Sequence, residues 1–253
     1  MSNTVLEMNQ LGVNIVKAQA FQIASIISSY PNENFAEEIS LLINETNIRK
    51  HLSLLGDSFN KVIEILNELI LDEQKIDELR SDYIDIFDRA KTANSLYETE
   101  YGKNRTMFKT NELADLAGFY KAFGLDSENE EVTHEMLDHV SVELEFYSFL
   151  LLKQAFLEEM VDLEGLEIVF DARKKFLNDH LGKFTYGISQ RPGVLENNFY
   201  SNVFNWINEL VSLECQFLEI NPTNSDWVYG QAESEEMNCA SADCALNKID
   251  DKK

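Results

Sequence analysis

Cysteine, proline, glycine and positive charge are all scarce in this chain of 253 residues, and each scarcity closes off a class of protein. The three cysteines, Cys215, Cys239 and Cys244, are odd in number and late in the chain, which argues against a disulfide framework. Cys239-x4-Cys244 stands in an acidic tail with no histidine beside it, unlike a zinc site. With 3 prolines and 10 glycines there is little turn punctuation, and few windows show the apolar–polar alternation of strands. Lys and Arg total 21 against 45 Asp and Glu, a net charge of −24 that repels a phosphate backbone and excludes nucleic acid as the expected partner. The first residues, MSNTVLEMNQLG, lack the basic, apolar and small-residue regions of an export signal. No apolar run approaches the ~20 residues needed to span a bilayer. The expected location is the cytoplasm, with no membrane insertion.

What is present is helical periodicity. Hydrophobic residues make up 44% of the chain, enough for a sizeable core in one domain, and they recur three and four apart. Residues 4–29 carry Leu6, Val13, Val16, Ala20, Ile23 and Ile27 at helical spacing, and Pro31 ends that helix. Further helices are expected over 34–55, stopping at Gly56, over 58–71 through Val62, Ile65, Leu66 and Leu69, and over 74–87 with a stripe of Ile76, Leu79, Tyr83, Ile86 and Phe87. Periodicity then stops for 88–110, DRAKTANSLYETEYGKNRTMFKT, a connection long enough to suggest function. This loop inverts the charge trend, with Arg89, Lys91, Lys103, Arg105 and Lys109 against Asp88, Glu98 and Glu100.

Helix resumes with Thr110 as the expected N-cap and Gly124 as a left-handed C-cap. After the polar stretch DSENEEVTHEM come helices reaching about residue 160, over 163–181 and over 193–220. The expected architecture is all-α: a single helical-bundle domain of roughly eight to ten helices over 1–222 and an acidic, flexible tail over 223–253.

The helix beginning LDHVSVELEFYSFLLLKQ places Asp138 and His139 at its entrance, Val142, Phe149, Leu152 and Phe156 along one stripe, and His139 above Glu143, Phe146 and Leu150. Taken alone, Asp138 reads as a helix-dipole partner and His139 as an ordinary, partly exposed histidine. A di-iron bundle would need two Glu-x-x-His motifs, and only Glu131-x-x-His134 exists. No nucleophile elbow or phosphate loop is present, and Cys215 lies in an apolar helical run as a core residue does. The absence of a catalytic set favours a binding protein without a cofactor over an enzyme.

Taken in order, YIDIF (83–87), SLYETEYG (95–102), ELADLAGFYKAFGL (112–125), LDHVSVELEFYSFL (137–150) and FLNDHLGKF (176–184) resemble the TorD/DmsD/NarJ family of redox-enzyme maturation chaperones, over roughly residues 60–185. The resemblance implies an all-helical, non-catalytic protein. Such a protein binds the twin-arginine signal peptide or N-terminal segment of a molybdopterin-containing oxidoreductase catalytic subunit, prevents premature export and assists molybdenum cofactor insertion. It implies peptide contacts at Tyr83, Ile86 and Phe87, at Tyr97, Glu98 and Tyr101 of the loop, and at Asp138 and His139, with Glu143 as a further carboxylate for arginine. Arg89, Lys91, Lys103 and Arg105 either face an acidic client surface or a pterin phosphate, or neutralise neighbouring carboxylates. The loop has neither a proline-rich nor a His-rich turn, so it lies between the TorD-like and NarJ-like patterns. Homodimer and monomer both fit, and a stable accessory subunit and a helical-bundle metalloenzyme are the competing readings.

Overall fold

A computed structural model describes residues 10–44, 55–91, 93–102, 105–125 and 135–222. Among them every regular element is helical, as expected. The helices are α1 (Gln10–Ser28), α2 (Phe35–Ile43), α3 (Phe59–Leu69), α4 (Glu73–Tyr83), α5 (Arg105–Ala122), α6 (Val140–Met160), α7 (Leu163–Phe176), α8 (Gly182–Ser189), α9 (Pro192–Glu196) and α10 (Asn198–Phe217). α4 continues as a π-helical turn, Ile84–Arg89, and α7 as another, Leu177–Leu181. No helix among these residues is long and apolar enough to cross a membrane.

α6 is the central post. It packs most extensively against α1, which runs antiparallel to it: Asn14 Nδ2 donates to Glu158 at 2.9 Å, and Ser148 Oγ donates to the Ala18 carbonyl at 2.8 Å. α7 covers a second side, and α10 braces α3 and α8. One interlayer core results, including Phe21, Phe59, Tyr147, Phe176, Phe184 and Trp206. Trp206 stacks on Phe59 at 4.6 Å between centroids and donates from Nε1 to the Leu55 carbonyl at 2.8 Å.

The core also holds an ionic knot that periodicity does not reveal. Arg173 of α7 is fully buried and donates to Glu214 of α10 at 2.5 Å, to Tyr147 of α6 at 3.2 Å and to Gln154. Lys17 of α1 meets the other oxygen of Glu214 and lies over the Phe217 ring. Four helices thus converge on one carboxylate. Burial by itself would raise the Glu214 pKa, but Lys17 and Arg173 outweigh it and hold the group below its ordinary value.

Several expected boundaries are corrected by local chemistry. The second helix ends at Ile43 rather than near 55, and residues 45–54 lie outside the described set. Gly56 does mark a stop: its φ of 91° is left-handed, and a Cβ there would come within 2.7 Å of Glu209. That carboxylate accepts from the backbone N–H groups of Asp57 at 2.9 Å and Ser58 at 3.0 Å, so α10 caps α3 from outside. α5 begins at Arg105, a turn and a half before the expected Thr110 cap, which shortens the 88–110 connection. Its far end follows expectation, with Gly124 at φ 80°. The last predicted helix is split at Asn197, whose extended backbone and side chain cap α10 by accepting from Tyr200 N at 3.0 Å, while Pro192 opens α9. The tail with Cys239 and Cys244, and the Glu131–His134 pair, lie outside the described residues.

Replacing Arg173 with Met keeps the volume but leaves Glu214 short of one cation in a dry core. Urea unfolding of R173M is expected to show a loss of about 3–5 kcal/mol; an unchanged midpoint would mean that the knot is not what joins these helices.

Candidate functional site

The loop that composition marks as irregular is fastened to the head of α6. Glu98 N donates to the Asp138 carbonyl at 2.8 Å and Val140 N to the Leu96 carbonyl at 2.9 Å, so Tyr97 and His139 face each other across an antiparallel bridge. Both have extended backbones, as such pairing needs. The Thr99 hydroxyl donates to Asp138 Oδ2 at 2.6 Å, and Tyr101 OH closes the loop on the Ser95 carbonyl at 2.6 Å. Asn94 fixes the other end: its Nδ2 donates to the Ile86 carbonyl at 3.2 Å, and its Oδ1 accepts from Gly193 N at 2.9 Å.

α6 starts at Val140, and its N-cap is His139, whereas the sequence pointed to Asp138 for the helix-terminus role. Nδ1 of His139 accepts from Ser141 N at 3.2 Å and sits 2.7 Å from Ser141 Oγ, which assigns the ring proton to Nε2. Nε2 points toward Tyr83 OH at 3.5 Å and Glu135 at 3.9 Å. Burial, with Lys91 adding to it, pushes His139 down to about 3, so the ring is neutral at physiological pH. Both Asp138 and His139 are 1% exposed. The partly exposed histidine of the sequence reading is therefore a buried one.

Beneath this shelf lies a run of acids. Glu98, fully buried, faces His180 Nδ1 at 3.0 Å, and His180 Nε2 reaches Asp115 at 3.3 Å. Glu143, also fully buried, has no hydrogen-bond partner for either carboxyl oxygen among the described residues. Burial, then the Glu98 and Asp138 charges, raise Glu143 well above the carboxylate range. Glu98 is raised as well, by burial that His180 only partly offsets. Burial also lowers the tendency of His180 to ionise, but Glu98 and Asp115 win and raise its pKa. Glu112 on α5 is pushed up to about 7 by burial and Glu98. An open cleft of about 640 Å³ gives solvent access to Glu112, Asp115, Asp179, His180 and Lys183.

Above the shelf, on the opposite side of Ser141, a groove of about 560 Å³ runs between α1, α2 and the head of α6. Its walls present Ile26, Leu42 and Val142 together with Glu38, Glu135 and Glu145, and among the described residues no lysine or arginine lines it. Tyr97 OH donates to Glu135 at 3.1 Å, so the loop and the groove share a carboxylate.

The residues singled out from sequence fall into three groups. Tyr83, His139 and Tyr97 do come together; Tyr83 also stacks with Phe87 at 5.1 Å in an aromatic cluster with Tyr30 and Tyr200. Glu98, Asp138 and Glu143 form the buried acid run, and Tyr101 packs on Phe184. Of the basic residues, Arg89 pairs with Asp85, Lys91 lies over the Tyr97 ring at 4.4 Å, and Lys109 pairs with Glu100 at 2.8 Å. The Lys103 and Arg105 side chains lie outside the described set. Ile86 is half-buried. Sequence reading missed Glu38, Glu112, Glu135 and His180 as site residues. His180 sits inside FLNDHLGKF and was within reach, whereas nothing local distinguishes Glu38 from any solvated helix glutamate. Among the described residues no group of three His, Cys, Asp or Glu could hold a metal ion.

Residues 53–188 match the family model described as nitrate reductase delta subunit, more than half of the chain. The match agrees with the resemblance drawn from YIDIF through FLNDHLGKF at the level of the family as a whole. No curated protein matches the chain.

The acid run sets a pH dependence of definite sign. Glu98, Glu143, Glu112 and His180 all have folded pKa values above their ordinary ones, so the stability they confer is full at low pH and lost as pH rises through the folded values. Each group removes about 1.4 kcal/mol per pH unit inside its window. Glu214, Asp179 and Glu209 are lowered and act oppositely, at acid pH. The melting temperature is expected to fall as pH rises from about 5 toward 7, the window between the ordinary and the folded Glu112 values, and Glu143→Gln, which cannot ionise, should flatten that slope. Parallel slopes for wild type and variant in thermal melts would remove Glu143 from the account.

Proposed function

This chain belongs to the nitrate reductase delta subunit family, and on that premise we infer that it is a maturation chaperone for a molybdopterin-containing oxidoreductase. It binds the signal peptide or N-terminal segment of the client's catalytic subunit in the cytoplasm, holds the client back from export, and assists insertion of the molybdenum cofactor. It performs no catalysis itself.

The observation that carries this reading is the acidic groove beside the Asp138–His139 shelf, whose Glu135, Ser141, Val142 and Glu145 side lies within the family-matched residues 53–188. A peptide bearing arginines and apolar residues requires carboxylates set in an apolar trough, and Glu38, Glu135 and Glu145 stand among Ile26, Leu42 and Val142. In this reading the client touches the groove rim, where Tyr97 holds Glu135 and Lys91 lies over the Tyr97 ring. Tyr83, Phe87, Glu98, Tyr101, Asp138, His139 and Glu143 act from below, by holding the shelf and loop in register. Arg89 and Lys91 extend the contact toward acidic client surface.

The family description names a subunit, which favours a second reading, a stable accessory component of the finished enzyme. The two differ in when the partner is held. Affinity purification of the tagged full chain from its native cells, beside Glu38→Lys/Glu145→Lys, separates them. The chaperone reading expects an apo catalytic subunit with the wild type and at least about tenfold less with the variant, since lysines set against the client's arginines bring like charges together, at a cost of about 1.4 kcal/mol or more. Recovery of the mature, cofactor-loaded complex would assign the subunit role, and recovery of no molybdoenzyme would overturn both.

A further inference from the structure

Along the outward face of α6 runs an apolar row, flanked by Lys153, whose Nζ lies 5.9 Å from the Phe156 ring centroid, and by Glu159. Leu152 is 47% exposed, Phe156 54% and Met160 63%, with Phe149 half-buried at the start of the same stripe. Val161 and Leu163, 73% and 74% exposed, prolong it past the helix end. The protein supplies its own contrast: the exposed face of α4 is Glu73, Gln74, Lys75, Asp77 and Glu78. Single exposed apolar residues need no explanation, but a continuous row marks a contact surface.

The row is continuous with the acidic groove, because Val142 and Glu145 line that groove and Val142, Glu145, Phe149, Leu152 and Phe156 follow one another at steps of three or four residues. At 1.5 Å per residue the stripe from Val142 to Met160 is roughly 27 Å long, of which the apolar part is about three helical turns. Carboxylates stand at both ends, Glu145 at the head and Glu159 near the foot. A second copy of this chain would therefore bring like charges together in an antiparallel pairing, on top of its net charge of −24.

We propose that this face of α6 is the docking surface for an amphipathic helix of a partner protein, one that carries a guanidinium or ammonium group at one end and about three turns of apolar face behind it. The charged end enters the groove and the apolar face lies along Phe149, Leu152, Phe156 and Met160. The charged end rests on the groove reading given above; the apolar part stands on the exposure of the stripe and is tested separately.

Three labelled synthetic peptides suffice as probes for the full chain, read by fluorescence anisotropy: two arginines followed by a four-turn Leu/Ala amphipathic helix, the same peptide with Ser for each Leu, and the arginine segment alone. The wild type should bind the first at least about tenfold more tightly than the second, as expected when two large apolar side chains are covered. Leu152→Ser/Phe156→Ser should abolish that difference without changing affinity for the arginine segment, and its circular dichroism should match wild type because both side chains are at the surface. Glu145→Lys should weaken binding of all three. Equal affinity of the first two peptides, or a double variant that still separates them, overturns the proposal while leaving the groove standing. Failure of all three to bind overturns the groove and the stripe together. A concentration-dependent dimer in sedimentation that dissociates in the double variant gives the face to a second copy, and overturns the proposal also.

Discussion

A carboxylate removed from water has to meet a cation or keep a proton, and the helices of this protein stand where that condition can be met. Glu214 is the clearest case. It is 1% exposed, and Lys17, Arg173 and Tyr147 reach it from three other helices. Apolar packing alone tolerates helices that slide by a turn. A buried guanidinium with partners on α6 and α10 does not, because a slip strands a charge. The knot accordingly sets the stagger of α1, α6, α7 and α10, and with it the height of the α6 N-terminus on which the site is built.

The second cluster solves the same problem by the other route. Glu98 takes a histidine, and Glu143, with no partner for either oxygen among the described residues, is pushed well above the carboxylate range by burial and by the Glu98 and Asp138 charges. This costs some stability at high pH but ties an irregular loop to the end of a rigid helix. Backbone pairing at 96–98 and 138–140, the Thr99 hydroxyl on Asp138 and the Asn94 clamp complete the tie. The residues that carry the family resemblance are therefore mostly scaffolding beneath a surface. The groove above them joins the head of α6 to α1 and α2, and both of those helices lie outside the matched range.

Legibility followed the range of the interaction. The helices α3 and α4 were readable within a few residues because Val62, Leu66 and Leu69, or Ile76, Leu79 and Tyr83, alternate at helical spacing and are buried as that spacing requires. The Gly124 stop was readable because a left-handed cap is a property of the residue itself. The start of α5 was not: helical periodicity resumes in the sequence only at Thr110, whereas the helix already runs from Arg105. The stripe Val142, Phe149, Leu152 and Phe156 was visible as a stripe, but periodicity alone does not say whether a stripe faces core or solvent. Here Val140, Leu144, Tyr147 and Leu151 face the core, and the visible stripe faces out.

The sequence by itself determined the class: an acidic, all-helical chain with the ordered motifs of a known family, since period, composition and motif order are one-dimensional properties. The tertiary structure decided which charges are inside. Nothing near Arg173, Glu214 or Glu98 in the chain distinguishes them from the many solvated acids and bases around them, because the partner that makes each tolerable is 41, 41 and 82 residues away in sequence. Burial is a property of the assembled bundle, and so the protonation, the shelf and the groove above it came into view only when the helices were packed together.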